Sequence, residues 1–179
     1  PRRQRAALLA AGSELLATQG VDAVTPAAVG AAAGLARSSV YQYFDSSPAL
    51  LAAIIEDAFP RATEQLRSAV GKAATPAAKI DAYVRTALVM ASDPAHRSLY
   101  ALVGVELPAA CRARLDELHQ EQYAPLRAAL VDLAVPDTDL TLALVHGLVG
   151  AATQAIIAGA PRKRVETRLL ALIHSGLRP

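Results

Sequence analysis

The sequence predicts an all-α protein: an N-terminal three-helix head of the helix-turn-helix kind, residues 1–46, followed by a helical body, residues 47–179. Three observations predict it. The composition is 53% hydrophobic with only 4% aromatic and no Trp, so the core must be built from Ala, Leu, Val and Ile, a mixture that favours helices. Apolar residues recur at helical spacing in segment after segment, and no stretch alternates with period two for long enough to make a strand. Helix openings are also repeated, as Thr25-Pro26 and Thr75-Pro76, with a capping hydroxyl before a proline that needs no N–H partner.

The first helix opens on Arg2, Arg3 and Arg5 and runs to about Gln19, with Leu8, Ala11, Leu15 and Leu16 on one side until Gly20 stops it. The arginines have two readings, a salt-sensitive phosphate-binding arm or a solvated terminus. The chain begins at Pro1 with no secretory signal, and the absence of Met leads to the expectation that part of a basic arm is missing.

The stretch from Val24 to Leu51 organises the head. Thr25 is placed to cap a second helix that starts at Pro26 and turns Val29, Ala32 and Ala33 inward. Gly34 supplies the left-handed backbone that a tight helix-to-helix turn needs. A third helix is expected from about Ala36 to Tyr43, with Leu35, Val40 and Phe44 inward. Arg37, Ser38, Ser39, Gln42 and Tyr43 are then left for solvent or a partner. Two short helices around a glycine form the helix-turn-helix pattern, whose second helix enters the DNA major groove. Packing alone does not ask for that polar face, and its groups suit phosphates and base edges.

The ordered marks Ala10-Ala11, Leu15, Gly20, Thr25, Val29, Ala33-Gly34-Leu35, Tyr41, Tyr43-Phe44 and Leu50 resemble the N-terminal domain of the TetR (tetracycline repressor) family of bacterial transcriptional regulators. The resemblance spans Arg3 to Leu51, and the remainder matches only in being helical. It implies a homodimer on double-stranded, near-palindromic operator DNA, released when the C-terminal domain binds a small-molecule effector. On this chain it implies phosphate contact at Thr25, Tyr41 and Tyr43, and base readout at Arg37, Ser38, Ser39 and Gln42. Ser47 stands where the family usually has Lys, and Ala36 where Ser or Thr is common. Both departures remove an anchor for the DNA backbone. Ala27 could face the groove but is too small to read more than a thymine methyl. Activation stays open beside repression, because the sign depends on where the operator lies.

Beyond the head, Ser46 is placed to cap a long helix from Pro48 to about Lys72, carrying Leu50, Leu51, Ile54, Ile55, Leu66 and Val70. Pro60 is expected to kink or split it near Phe59, unless it opens a fresh helix. Thr75-Pro76 opens a helix to about Ser92, and Asp93-Pro94 another that ends near Gly104. A further helix runs from near Pro108 to about Ala134, with a bend expected at Pro125.

From Leu140 to Pro161 there is no charged residue. That length could span a bilayer, with Pro161-Arg162-Lys163-Arg164 as its flank. Thr141, His146, Thr153 and Gln154 interrupt it, and a helix apolar all round is equally at home in a core or between subunits. With the last helix, Arg162 to about Gly176, it would pair with its symmetry mates in a four-helix bundle. That bundle is the interface the resemblance implies for residues 138–176.

The body offers little chemistry. His96, His119, His146 and His174 are scattered, Cys111 is the single cysteine, and Gly-rich phosphate loops are absent. No catalytic residue, metal or cofactor is expected. One Cys also fits a reducing cytoplasm, and a net charge of +2 means that any DNA contact must be local. Tyr83, Met90, Tyr100, Tyr123, His146 and Gln154 lie on helices that the family packs around its effector cavity. They suggest a mostly apolar ligand with one hydrogen-bonding group. A constitutive DNA-binding dimer and a membrane-anchored helical protein are the alternatives from other classes.

Overall fold

A computed structural model describes residues 2–93, 96 and 109–177. Its helices are α1 (Arg2–Gln19), α2 (Pro26–Ala32), α3 (Arg37–Val40), α4 (Ser47–Gly71), α5 (Pro76–Ala91), α6 (Ala109–Asp132), α7 (Thr138–Ile157) and α8 (Arg162–Gly176), with a 3-10 turn at Val21–Ala23. No strand occurs among the described residues, so the fold is all-α as the composition and periodicity predict. The helix expected from Asp93 to Gly104 lies outside the described residues, apart from Asp93 and His96.

The chain forms two compact units: Pro1–Pro60 with Pro94–His119, and Arg61–Asp93 with Gln120–Pro179. The first is built on α1 to α3 and the opening half of α4. Leu8, Leu16, Val29, Val40, Leu50, Ile54 and Ile55 are buried together, and Cys111 and Leu118 of α6 join the same core. Gly12 permits close packing of α1, since a Cβ there would sit 2.3 Å from Ile54 Cδ1. The Cys111 thiol donates to the Pro48 carbonyl at 3.4 Å, and burial pushes its pKa up, so it behaves as a structural thiol. Arg114 bridges Glu56 at 3.1 Å and Glu117 at 2.7 Å on the surface of the same unit.

The second unit is a helical bundle in which α5, α7 and α8 pack pairwise. Its core takes Leu66 from α4, Ile80, Val84 and Leu88 from α5, Leu126 and Leu130 from α6, and Leu169 and Ile173 from α8. The cap expected at Thr75 is present, and Asp137 caps α7. Thr75 Oγ1 accepts from Ala78 N at 3.2 Å and Asp137 Oδ1 from Leu140 N at 3.1 Å. Polar contacts line the periphery: ion pairs join Lys79 to Asp132 at 3.1 Å and Arg85 to Glu166 at 3.2 Å, and His174 Nε2 is hydrogen-bonded to Asp81 Oδ1 at 2.7 Å.

Two expectations are corrected. Pro60 neither splits α4 nor opens a new helix; Phe59 and Ala62 on either side are buried, and that packing offsets the hydrogen bond the proline removes. Pro125 lies within the continuous helix α6. The third helix is shorter than Ala36 to Tyr43. Regular α structure covers Arg37–Val40, after which Gln42 N bonds to Ser39 O and Tyr43 N to Val40 O, the tighter i to i+3 pattern of a closing turn.

Candidate nucleic-acid interface and effector site

The interface is assembled from the inside out. Val40 has no exposed surface and Phe44 only 5%, so this pair seats the recognition segment on the core and fixes which side faces out. Thr25 Oγ1 accepts from Ala28 N at 3.1 Å, capping α2 and leaving the hydroxyl proton available to a phosphate. Gly34 holds φ +69° in the turn, and Leu35 N bonds back to Gly30 O at 2.8 Å, closing the angle between α2 and α3. Gly30 allows that closure, because a Cβ would stand 3.0 Å from both Leu35 O and Val40 Cγ2.

Outward from this base stand Arg37, Ser38, Tyr41 and Gln42, all exposed, with Ser39 and Tyr43 half-buried. Arg37 Nη2 donates to the Tyr41 hydroxyl at 3.3 Å, and its guanidinium lies 5.7 Å from the centre of that ring. The hydroxyl contact raises the already high pKa of Arg37, so the group stays cationic. Because the Tyr41 oxygen accepts, its proton is free for a phosphate. Tyr43 differs: its hydroxyl donates to Gln4 Oε1 at 2.6 Å. Gln4 and Arg5, whose guanidinium lies 5.5 Å from the Phe44 ring centre, are contacts that sequence reasoning missed. Thirty-nine positions separate Gln4 from Tyr43, and no local pattern announces such a pair.

In the body, the residues singled out from the sequence are only partly brought together. Tyr123 and His146 are joined by a 2.8 Å hydrogen bond, whereas Tyr83 and Met90 are buried along α5. Gln154 is exposed on α7, and Tyr100 lies outside the described residues. A cavity of about 390 Å³ opens between α7 and α8, lined by Leu148, Ala151, Val165, Leu169, Leu172, Arg164 and Arg168 among others. None of the residues singled out lines it. Among the described residues, no group of three or more His, Cys, Asp or Glu is placed to hold a metal ion.

Comparison with known proteins decides the head. The model of the bacterial regulatory proteins of the tetR family matches residues 8–54. The chain carries a TetR-family DNA-binding domain. The whole fold is also shared with solved structures. One is the fatty acid degradation regulator FadR from Bacillus halodurans, at 17% identity and TM-score 0.82 over 98% of this chain and 96% of that one. Another is the transcriptional regulator FadR from Bacillus subtilis in complex with stearoyl-CoA, at 16% identity and TM-score 0.82 over 96% and 98%. A third is AibR in complex with isovaleryl coenzyme A and operator DNA, at 16% identity and TM-score 0.81 over 95% and 97%. No curated protein sequence matches.

The TetR head has two peculiarities here. Ala36 occupies the N-cap of α3 and makes no side-chain capping bond, so the recognition helix starts without its usual polar anchor. Ser47 opens α4 while Ser46 Oγ accepts from Ala49 N at 3.2 Å, which keeps the helix end capped but puts no cation there. The family is one of regulatory proteins, not enzymes.

Proposed function

We propose that this chain is a ligand-responsive transcriptional repressor of the cytoplasm, binding near-palindromic operator DNA as a homodimer. The observation that carries the reading is the solvent-facing set Arg37, Ser38, Tyr41 and Gln42 on a TetR-family recognition segment seated by buried Val40 and Phe44. Arg37, Ser38, Ser39 and Gln42 read bases, while Thr25, Tyr41 and Tyr43 hold phosphates. Two such segments on a dimer engage half-sites about one DNA turn apart, ~34–36 Å.

The body supports the dimer through α7. One face of that helix buries Leu142, Val145, Val149 and Ala152 within its own unit, while Leu140, Leu144 and Leu148 are 55%, 60% and 38% exposed at four-residue intervals. A monomer leaving that leucine row partly in water forgoes a share of the roughly 1.5–3 kcal/mol that full burial of each side chain contributes. A second copy, crossing at residues 138–176, covers it. The helix is also long and apolar enough to cross a membrane. Its opposite face is already occupied by contacts to α5 and α8, which favours the subunit interface over a bilayer.

The effector is a mostly apolar molecule bound in the body near Tyr83, Met90, Tyr123, His146 and Gln154, as Tyr100 was also expected to be. Two proteins of this fold are described with coenzyme A thioesters, so stearoyl-CoA and isovaleryl-CoA are the first probes. Such a ligand releases DNA only by its difference in affinity for the two states.

The experiment is fluorescence anisotropy against DNA flanking the protein's own gene, with unrelated DNA as control, over a salt series and with each thioester. Tight, sequence-dependent binding that an acyl-CoA relieves supports the proposal. Binding unaffected by any ligand favours the constitutive dimer, and equal weak binding to both DNAs overturns sequence-specific regulation.

A further inference from the structure

We propose that the groove between α7 and α8 is a ligand site for an amphiphilic oxyanion, whose apolar part lies in the groove and whose carboxylate or phosphate head is held by Arg164 and Arg168. The site is separate from the effector site proposed above, since none of Tyr83, Met90, Tyr123, His146 and Gln154 lines it. Nor does it depend on operator binding.

The groove combines two chemistries. Its volume of about 390 Å³ is that of a small-molecule site, and Leu148, Ala151, Leu169 and Leu172 are among its walls. Apart from Arg164 and Arg168, every residue that lines it is apolar. The two arginines stand four positions apart on α8, so they are neighbours on one helix face. Apolar walls beside a pair of guanidinium groups complement a molecule that is apolar along its body and anionic at one end.

Helix α8 treats its cations unequally. Arg162 Nη1 donates to Glu166 Oε2 at 3.2 Å, and the other oxygen of Glu166 lies 3.2 Å from Arg85 Nε on α5. Arg162 is thereby neutralised on the side that meets α5. Arg164 and Arg168 are exposed, and neither makes an ion pair among the described residues. The first turn of α8 also carries Arg162, Lys163 and Arg164 with no acidic residue, which opposes the helix dipole. Helix stability therefore does not account for the cations at the groove.

A second copy does not supply their counter-charge. Within residues 138–176, proposed above as the subunit interface, the acidic residues are Asp139 and Glu166. Asp139 is paired with Arg127, and both oxygens of Glu166 are taken. A copy crossing there brings two more arginines and no uncommitted carboxylate. The anion that matches Arg164 and Arg168 comes from a ligand.

Isothermal titration calorimetry of the full chain without DNA tests the site, with octanoate as the probe and octanol as its uncharged control. Octanoate should bind saturably, and octanol should bind about tenfold or more weakly for want of the charge-assisted hydrogen bonds. An Arg164→Gln/Arg168→Gln double variant should lose that advantage. Lys163→Gln, the same kind of charge loss in the same turn but outside the groove lining, should keep it. Ala151→Leu fills the groove at an exposed position without touching charge, and it should weaken both ligands. Helical circular dichroism confirms that each variant is folded. Equal affinity for octanoate and octanol, unchanged octanoate binding in the double variant, or an equal loss in Lys163→Gln overturns the role of the two arginines. Unchanged binding in Ala151→Leu overturns the groove. A chain that cosediments with phosphatidylglycerol vesicles yet takes no octanoate overturns the free ligand in favour of a lipid surface. Sedimentation equilibrium without ligand reads the dimer separately: a monomer that binds octanoate through Arg164 and Arg168 supports this site while failing the dimer reading.

Discussion

The hydroxyl of Tyr123 lies 2.8 Å from Nε2 of His146, with the two ring centres 4.4 Å apart. This links α6 and α7 within the second unit by a polar contact at a partly exposed position. His146 retains exposed surface, but desolvation of its ring lowers its pKa, so the neutral imidazole is the form that fits. In the tautomer with Nε2 bare, Tyr123 donates to it.

A pH dependence of stability follows. The folded pKa of His146 is lowered from the unfolded value of about 6.5, so the unfolded chain binds more protons just below that pH. Its contribution to stability is full above about pH 6.5 and is lost as pH falls through the folded pKa. Thermal melts from pH 8 to 5 should show a decline that His146→Gln flattens. Tyr123→Phe should cost about 0.5–1.5 kcal/mol at pH 7.5. A His146→Gln profile parallel to wild type would refute the assignment.

Arg37 and Tyr41 should act on DNA as a coupled pair. Arg37→Ala is expected to cost ~1–3 kcal/mol and relax sequence preference, while Tyr41→Phe weakens binding to all sequences alike. Because Arg37 donates to the Tyr41 hydroxyl, the double variant should fall short of the sum by at least ~0.5 kcal/mol. Anisotropy titrations on operator and scrambled DNA supply all four corners of the cycle.

Gly34 carries φ +69° at the turn between α2 and α3, a backbone that a β-branched residue strongly resists. Gly34→Val should destabilise the chain by about 1–2 kcal/mol. The same change should impair operator binding more than an equally destabilising change in α5, such as Val84→Ala, which lies far along the chain from the recognition segment. Denaturant midpoints measured beside affinities separate the two effects.

Pro60 interrupts the hydrogen bonding of α4 without interrupting the helix, and it falls where the first compact unit ends. Pro60→Ala restores an N–H donor and removes a steric conflict, so it should stabilise the chain by up to about 3 kcal/mol. If Pro60 also lets ligand binding reach the head, the variant will bind operator normally while responding less to effector. A lowered melting temperature would show that the proline is fully accommodated.

Leu144→Glu tests the exposed leucine row. Leu144 is 60% exposed in the single chain, so the charge should not harm the fold of one protomer. It should shift the chain from dimer to monomer in sedimentation equilibrium and weaken operator binding, since one protomer engages one half-site. A variant that stays dimeric would move the interface away from this face.

The sequence by itself determined the helices, their caps and the identity of the head. These are properties of neighbours along the chain. Thr25, Thr75 and Asp137 cap within three residues, Gly34 turns at its own position, and the spacing of Val40 and Phe44 decides which side of α3 is buried. The uninterrupted passage of α4 through Pro60 was not legible, because the burial of Phe59 and Ala62 that offsets the proline depends on distant partners. Nor was the end of α3, where i to i+3 bonds replace regular helix once Phe44 docks. The pairings Gln4 with Tyr43, Arg5 with Phe44 and Tyr123 with His146 were decided by tertiary structure alone. Local pattern fixes which residues face outward on one helix. Only the packing of helices remote in sequence fixes which of those residues meet.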